Sequence, residues 1–512
     1  MLIFPKENGI LNESSYKELF TSGSKPGVLY GLPKVHKEGH PLRPILSAIG
    51  TFNYKLAKFL VPILSPLTVN EYTVKDSFSF AKDICRENFG ECVLASFDIK
   101  SLFTNIPLHE TVDLCIEDLF AHEHPTFGFN REQLHKLLSL SCTDSYFIFN
   151  KHFYTQKDGV AMGNPLGPTL ANAFLSHYER KWLEECPDNF KPLLYRRYID
   201  DTFLAFRSRE HVPLFLQYLN SKHSNIAFTA EIENERKLPF LDVLITREPD
   251  ASISTSIYRK PTYTGLTTKF TSFIPLQLKR NLISTLTTRA FNICSNYFKM
   301  HTELQFLKST LFLNGFSMAF CESYIGKQLS KLLHPSPKIP SVGRAIIYFN
   351  ISFTGRGSYK IRKQINKLLR EFYPQLNIRV IFKPNYMIQS LFKFKDILPT
   401  ELQSSIVYQY ECNSCNALYI GQSKRQFKVR QYEHFGKSIR SNRPLGRPPL
   451  SAIREHSHTH DHPMDSSSFS VLSVKSSNME LPIAESLHIV QKSPSLNYHG
   501  TSVELLCFQF SI

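Results

Sequence analysis

No apolar run in the chain approaches the roughly 18 residues that a membrane-spanning helix needs. The opening stretch, "MLIFPKENGILNESS", lacks the basic region, apolar core and small-residue cleavage site of a secretory signal, so secretion is not expected. There is no regular internal repeat, which argues against a solenoid. Paired cysteines are scarce. Most of the 10 stand alone, as Cys85, Cys92, Cys115 and Cys142 do, and read as reduced intracellular core thiols. The one tight pair is Cys412 and Cys415. Acidic residues are also in deficit, with 44 Asp and Glu against 60 Lys and Arg, for a formal net charge of +16. What is present fits that imbalance. The basic residues are interleaved with 23 Tyr and 41 Phe, a composition suited to a polyanion whose phosphates bind cations and whose bases stack on rings. A length of 512 residues favours several domains, and a hydrophobic fraction of 42% is enough for packed cores.

Short apolar runs alternate with helical patterns from about Lys25 to Lys260, a mixed α/β reading. "VLASFDI" is a strand candidate. "PTLANAFLSHYERKWLEE" (Pro168–Glu185) has helical spacing, with Pro168 suited to a first turn. "LQLKRNLISTLTTRAFNICSNYFKM" (Leu276–Met300) reads as an amphipathic basic helix pair. "HPSPKIPSVG" (His334–Gly343) is the best internal boundary. A connector with strand and helix signals runs to about Pro399, and a last compact unit starts near Glu401. That unit contains a polar insertion, "RSNRPLGRPP", and a serine-rich patch, "DSSSFSVLSVKSS".

The stretch "YRRYIDDTFLAF" (Tyr195–Phe206) sets Asp200 and Asp201 side by side in the pattern of a buried hairpin. Two bare carboxylates about 4 Å apart repel by about 1 kcal/mol in water and by about 4 kcal/mol at an effective dielectric near 20. A positive partner must offset this. Far upstream, "LASFDIKSLFTNIP" ends a buried strand on Asp98. One aspartate leaving a strand and two at a hairpin tip form a set of hard oxygen ligands that could hold two Mg²⁺ ions. From the Asp pair alone, a solvated turn is an equal alternative.

The segments "SFDIKSLFTNIPL", "QKDGVAMGNPLGPTLANAF" and "YRRYIDDTF" occur in the order and spacing of reverse transcriptase palm motifs. Together with "YGLPKVHKEGHPLRPILS", "LPFLDVLITR" and "SIYRKPTYTG", they resemble Penelope-like retroelement proteins, whose polymerase is related to telomerase. The resemblance covers nearly the whole chain from about Lys25. It implies that Asp98, Asp200 and Asp201 are the palm's metal triad, with Asp98 and Asp200 as the more direct ligands. Phe103 would abut the sugar's 2′ carbon and exclude a ribose hydroxyl. Gly159 and the turn that includes Asn164 would lie under the incoming nucleotide and templating base; many family members have serine where this chain has Asn164. Lys37 and Arg43 would meet the triphosphate. The basic helices near Leu276–Met300 would grip duplex as a thumb.

In the last hundred residues, Cys412 and Cys415 have the spacing of a zinc knuckle, and "REHSHTHDH" offers four histidines. Spacing alone leaves the metal and its histidines open. Tyr408, then ten residues, then "YIG" (Tyr419–Gly421), followed by Arg430 and Glu485, resembles a GIY-YIG nuclease. The nuclease-bearing Penelope-like elements carry a cysteine pair between the two tyrosines and a later "EH…H". This implies His456 and His462 as partners of Cys412 and Cys415, with His458 and His460 as substitutes. Glu485 would bind one divalent cation, Arg430 would stabilise phosphoryl charge, and Tyr408 or Tyr419 would orient or deprotonate water. His434 and Asn497 match supporting positions. Ile406 stands where the first motif's name-giving glycine belongs.

The fold these readings imply is a multidomain α/β protein, a right-hand polymerase followed by a connector and a small α/β GIY-YIG nuclease. The expected divisions are a short segment 1–24, fingers and palm 25–265, a thumb-like helical region 266–343, a connector 344–400 and a nuclease 401–512 with a zinc-knuckle-like insertion. The first segment is shorter than the extension common in such elements, which suggests a shortened copy, an incorrect gene model or a variant without it. Implied cofactors are two Mg²⁺ in the polymerase, one divalent ion in the nuclease and structural Zn²⁺. Implied partners are the element RNA, target DNA and deoxynucleoside triphosphates, with no membrane; the oligomeric state stays open. Action in the nucleus after cytoplasmic synthesis is expected. Rival readings are a catalytically inactive nucleic-acid-binding relic and a telomerase-like host enzyme.

Overall fold

The computed structural model of the chain describes residues 11–19, 23–35, 37–143, 145–335, 346–384, 391, 396, 398–447, 451–475 and 480–497. Most of the expected boundary at 334–343 lies outside the described residues, as do Pro448 and Pro449 of the polar insertion and Ser476 and Ser477 of the serine-rich patch.

Strands β1 (Gly27–Pro33) and β2 (Leu42–Ser47) form an antiparallel hairpin in register from Val28↔Ser47 to Pro33↔Leu42. Strand β3 (Val93–Ile99) is "VLASFDI", and it carries Asp98 one residue before its end. Strands β4 (Tyr146–Phe149) and β5 (His152–Thr155) extend the first sheet in the order β2-β1-β4-β5. The hairpin β6 (Leu194–Tyr198) and β7 (Asp201–Phe206), with β8 (Phe228–Ile232), joins β3 in an antiparallel sheet of order β6-β7-β3-β8.

The central strands β3 and β7 are apolar almost throughout because both their faces are covered. Alternation along each strand divides side chains between two cores. Phe97, Leu204 and Phe206 pack with Phe174 of the helix Gly167–Glu184 and Phe215 of the helix His211–Asn220. Leu94, Phe203 and Ala205 point the other way, towards Phe80, Phe240 and Ile283. The helix expected over Pro168–Glu185 is therefore present one residue earlier, with Pro168 in its first turn where a missing N–H costs nothing.

Strands β9 (Lys237–Phe240), β10 (Val243–Arg247) and β11 (Ile253–Ile257) form a small antiparallel sheet on the second core. Three helices follow, Leu276–Ile293, Tyr297–Leu313 and Met318–Leu333. The helix pair expected over Leu276–Met300 breaks at residues 294–296, where the Asn296 side chain accepts from the Lys299 N–H and starts a second helix that continues to Leu313. In the connector, β12 (Ile346–Phe353) and β13 (Asn377–Pro384) pair in parallel. Parallel neighbours need a crossover, which the helix Arg356–Phe372 supplies.

A separate C-terminal helical and β unit has the antiparallel sheet β15 (Leu418–Ser423), β14 (Ile406–Glu411), β16 (Phe469–Val474), with β14 central. Helices Phe427–His434 and Ala452–His460 enclose one face around Ile406, Tyr408 and Tyr410. The helix Glu480–Lys492 covers the other face, where Leu481 and Ala484 meet Val407 and Ile420. The chain just ahead of β1 runs against this unit. Ser404 Oγ donates to the Gly23 carbonyl at 2.6 Å and Gln426 Nε2 to the Ser24 carbonyl at 2.9 Å. Gly23 has φ +70, and a Cβ there would lie 2.0 Å from the Lys424 carbonyl oxygen, so the contact requires glycine.

Candidate active site and metal centre

The register of β3 against β7 puts Asp98 directly opposite Asp201. Asp200 occupies the turn before β7, and its carbonyl accepts from the Ile99 N–H at 3.1 Å, tying the turn to the end of β3. The three aspartates, distant in sequence, thus meet at one corner of the sheet. Burial raises the pKa of Asp200, and the Asp98 carboxylate adds to the rise while Arg43 and Lys34 oppose it. Burial also pushes Asp201 up to about 6, with Asp200 and Asp98 adding to it and Lys260 and Lys37 opposing it. Mutually repelling, half-buried carboxylates are what a divalent cation would stabilise, so the donor set fits hard cations. Lys37 Nζ stands 3.9 Å from Asp98 Oδ2. Arg43 lies on β2, opposite Leu32, so the β1–β2 hairpin brings both expected phosphate-binding cations to the aspartates.

A device absent from the sequence reading holds this corner. Arg197, on β6, is fully buried. Its Nε donates to Glu179 Oε2 at 2.6 Å, and its Nη2 donates to Glu179 Oε1 at 2.9 Å and to Ser176 Oγ at 3.1 Å. Its Nη1 reaches Asn172 Oδ1 at 2.8 Å and the Ile199 carbonyl at 3.2 Å. Ile199 has φ +57, a left-handed conformation that a β-branched residue adopts at a cost of order 1–3 kcal/mol. The guanidinium therefore fixes, from inside, a strained turn that presents Asp200. One signal was legible: alternation along "LYRRY" puts Tyr195 and Arg197 on the inward side, and a buried arginine requires a carboxylate.

Phe103 lies in the short helix Leu102–Asn105, half-buried against the first core. Gly159 has φ +75, and a Cβ there would come within 2.7 Å of the Thr104 carbonyl oxygen. Its close approach is thus to this chain's own backbone beside Phe103, where Val160 N–H donates to the Phe103 carbonyl at 2.6 Å. The space left by the missing side chain lets these two backbone segments pack together. Asn164 is buried too. Its Nδ2 donates to the Ser141 carbonyl and its Oδ1 accepts from the Leu166 N–H, both at 3.0 Å, so its amide is engaged within the fold.

In the C-terminal unit the hydroxyl of Tyr408 accepts from Arg430 Nε at 3.0 Å and lies 2.7 Å from His434 Nε2. His434 Nδ1 meets Ser451 Oγ at 2.7 Å. Burial, reinforced by the Arg430 and Arg454 charges, pulls the imidazole down to about 3, so it is neutral. Tyr408 is wholly buried, whereas Tyr419, across the sheet from Tyr410, keeps part of its surface open. Burial raises the Tyr419 pKa, Arg430 opposes the rise and Glu485 adds to it. Glu485 Oε2 accepts from Gln422 Nε2 at 2.9 Å. Gly421 pairs with Tyr408, and a Cβ there would lie 2.7 Å from the Tyr419 ring and 2.8 Å from the Tyr408 hydroxyl. Asn497 brackets Ile420, accepting from its N–H at 2.9 Å and donating to its carbonyl at 2.8 Å. Ile406 is the first residue of β14, buried in the same core cluster as Tyr408 and Tyr410.

Cys412, Cys415, His456 and His462 converge, with one ligand atom from each within 4.8 Å of the others. Cys412 Sγ is 3.5 Å from His462 Nδ1, Cys415 Sγ is 3.3 Å from His456 Nε2, and the two histidine nitrogens are 3.3 Å apart. A tetrahedron with Zn–S about 2.3 Å and Zn–N about 2.0 Å has S···N edges of about 3.5 Å, so this set could coordinate a metal such as Zn²⁺. Burial opposes ionisation of the Cys412 thiol, but the Ser414 and Cys415 backbone N–H groups outweigh it and lower its pKa. Burial and the neighbouring His460 and His462 lower that of His456. Both shifts favour the metal-binding forms.

Residues 35–234 match the family model described as reverse transcriptase (RNA-dependent DNA polymerase). The N-terminal half contains a reverse-transcriptase-like domain. Its limits enclose Lys37, Arg43, Phe103, all three aspartates and the Arg197 network. Residues 266–326 match a second model, the animal helix-turn-helix domain, which spans the first two of the three helices and the start of the third. No curated protein matches the chain. Among solved structures, telomerase from Candida albicans in complex with a TWJ fragment of telomeric RNA is similar over 60% of this chain at 11% identity, with a TM-score of 0.41. Sicinivirus 3Dpol RNA-dependent RNA polymerase is similar over 62% of this chain and 73% of its own, at 13% identity and a TM-score of 0.40. The chain spans 63% of that telomerase.

Proposed function

We propose that the chain is the RNA-directed DNA polymerase of a Penelope-like retroelement, joined to a GIY-YIG endonuclease that nicks target DNA to supply the primer. The observation that carries the polymerase reading is the Asp98↔Asp201 register with Asp200 beside it, inside the region matching reverse transcriptases. In this reading the sheet β6-β7-β3-β8 is the palm, the β1–β2 hairpin belongs to the fingers and the three helices form a thumb. Asp98, Asp200 and Asp201 would hold two Mg²⁺ ions, whose charge would activate the primer 3′-hydroxyl and stabilise the leaving pyrophosphate. Lys37 and Arg43 would orient the triphosphate, and Phe103 would exclude a ribose 2′-hydroxyl. Gly159 and Asn164 would act by shaping the floor beneath the nucleotide.

For the nuclease, the wholly buried Tyr408 would position Arg430, leaving the more open Tyr419 to orient water. Arg430 would meet the scissile phosphate and Glu485 would hold a divalent cation against it. The Cys412, Cys415, His456 and His462 cluster would hold Zn²⁺ and brace β14 against the helix Ala452–His460. Template RNA, target DNA and deoxynucleoside triphosphates would be the ligands, and the nucleus the place of action.

The polymerase reading is tested by primer extension on an RNA template, comparing the native chain with Asp200→Ala. Incorporation should vanish in the variant, and equal incorporation by both would remove the assignment. The nuclease reading is tested by nicking of supercoiled DNA. Cleavage that survives both Tyr419→Phe and Glu485→Ala would place the activity elsewhere.

A further inference from the structure

The connector contains a row of cations that neither proposed active site uses. On the helix Arg356–Phe372, Arg356, Lys360, Lys363, Lys367 and Arg370 follow one another at spacings of four, three, four and three residues. That is one stripe of an α-helix, about 21 Å long at 1.5 Å per residue. All five are exposed. The opposite side carries Ile365 and Leu369 and faces the β12–β13 pair, so the stripe must point outwards.

Basic residues of the neighbouring small sheet and helices are neutralised: Arg247 by Glu233, Arg259 by Glu303 and Arg289 by Asp242. Among the described residues, no carboxylate pairs with any of the five cations of the stripe. Other cations around them rest on rings, which orient a charge without cancelling it. Arg362 sits 4.8 Å from the centre of the Phe382 ring, while Arg280 and Lys327 lie 5.2 and 4.8 Å from that of Tyr324. Arg280 Nε is buried without a hydrogen-bond partner.

All of the stripe and ring-seated cations except Lys360 border three adjoining clefts of ≈ 670, 730 and 690 Å³. The first shares Tyr359 and Arg362 with the second, which shares Gln277 and Arg280 with the third. Among the described residues, no Asp or Glu lines any of them. The connector is fixed against the first helix by the Leu276 N–H, which donates to the Tyr359 hydroxyl at 3.0 Å, and by Phe273 against Phe353 with ring centres 5.3 Å apart. The groove is therefore built into the fold.

We propose that this groove, floored by the connector helix, binds the sugar-phosphate backbone of double-stranded nucleic acid outside the polymerase and nuclease centres. A strand rises about 3.4 Å per phosphate as it winds round the duplex axis, so neighbouring phosphates lie about 7 Å apart and about 21 Å of helix faces about four of them, within reach of five cations laid along one strand. Contacts of this kind read no bases, so the site is sequence-independent. The proposal does not rest on the polymerase reading, because it concerns phosphate contacts alone.

The test uses the full chain in an Asp200→Ala, Glu485→Ala background, so that neither proposed chemistry contributes, with and without Lys363→Ser, Lys367→Ser and Arg370→Ser together. Binding of duplex DNA, an RNA hairpin and an RNA–DNA hybrid is followed by fluorescence anisotropy over a salt series. The triple change should weaken binding of at least one duplex about tenfold or more near 0.15 M salt. It should also flatten the slope of log affinity against log salt by about 2.7, at about 0.9 per lost phosphate contact. The duplex most affected identifies the occupant. An unchanged slope for all three would overturn the proposal, and so would an equal loss for polyglutamate, which has charge but no duplex geometry. Melting curves of the two proteins should coincide, since the three side chains are exposed; a lowered melting temperature would show that the stripe supports the fold and would also overturn the proposal.

Discussion

A single buried guanidinium decides how the aspartate corner is presented. Arg197 has a carboxylate, an amide, a hydroxyl and a carbonyl around it, and removing it would strand Glu179 in the core. Breaking a buried pair from one side costs about 3–5 kcal/mol, so Arg197→Met should lower the unfolding free energy by that order. Primer extension by the variant should fall even at temperatures where it stays folded, because the Ile199 turn loses its anchor. A folded Arg197→Met protein with native extension rates would show that the network is purely structural. His434 gives a pH prediction. Its folded-state pKa lies below the ordinary histidine value, at about 3, so the unfolded chain binds more protons across the interval between the two. The stability it contributes is complete above about pH 6.5 and is lost as pH falls through the range towards 3. The melting temperature of the native chain should therefore drop more steeply between pH 7 and 4.5 than that of His434→Asn. Parallel pH profiles for the two proteins would contradict this.

Among the secondary-structure elements, two close approaches carry the geometry. The helix bearing Phe103 packs against residues 159–160 only because Gly159 has no side chain and can hold φ +75. Gly159→Ala combines a left-handed backbone with a 2.7 Å clash against backbone, and about 2 kcal/mol or more of destabilisation is expected from denaturant unfolding. A loss below about 0.5 kcal/mol would mean that the turn relaxes freely. In the C-terminal unit, four side chains that could coordinate a metal bridge the turn after β14 and the helix Ala452–His460 with the residues just beyond it. Purified native chain should hold one equivalent of zinc after dialysis and Cys412→Ser much less, with a chelator lowering the melting temperature of the native protein alone. Equal metal contents would refute Cys412 as a ligand.

The whole molecule brings its first described segments against its last unit through Gly23 and Ser24. This couples the proposed nuclease to the polymerase by more than a linker. Joining two active sites in one chain raises the effective concentration of each at a shared nick to the order of millimolar. At nanomolar protein, an equimolar mixture of Asp200→Ala and Glu485→Ala chains should nick and extend far less product than the native chain at the same concentration. Equal yields would show that the two activities act independently.

Local pattern made much of this legible. The short apolar runs "VLASFDI" and "DTFLAF", the proline at the start of the Gly167–Glu184 helix and the Cys412/Cys415 spacing each depend on neighbours along the chain, which a sequence displays directly. The sequence by itself therefore settled the strands and helices around the aspartates and the residue types of both candidate centres. Tertiary structure decided how distant groups meet: Asp98 facing Asp201 in register, Arg197 closing on Glu179, the histidine nitrogens coming within reach of the cysteines, and the inward hydrogen bonds of Asn164. Pairing register and burial are properties of segments that lie far apart in the chain, and the energy that selects them exists only once those segments are packed together.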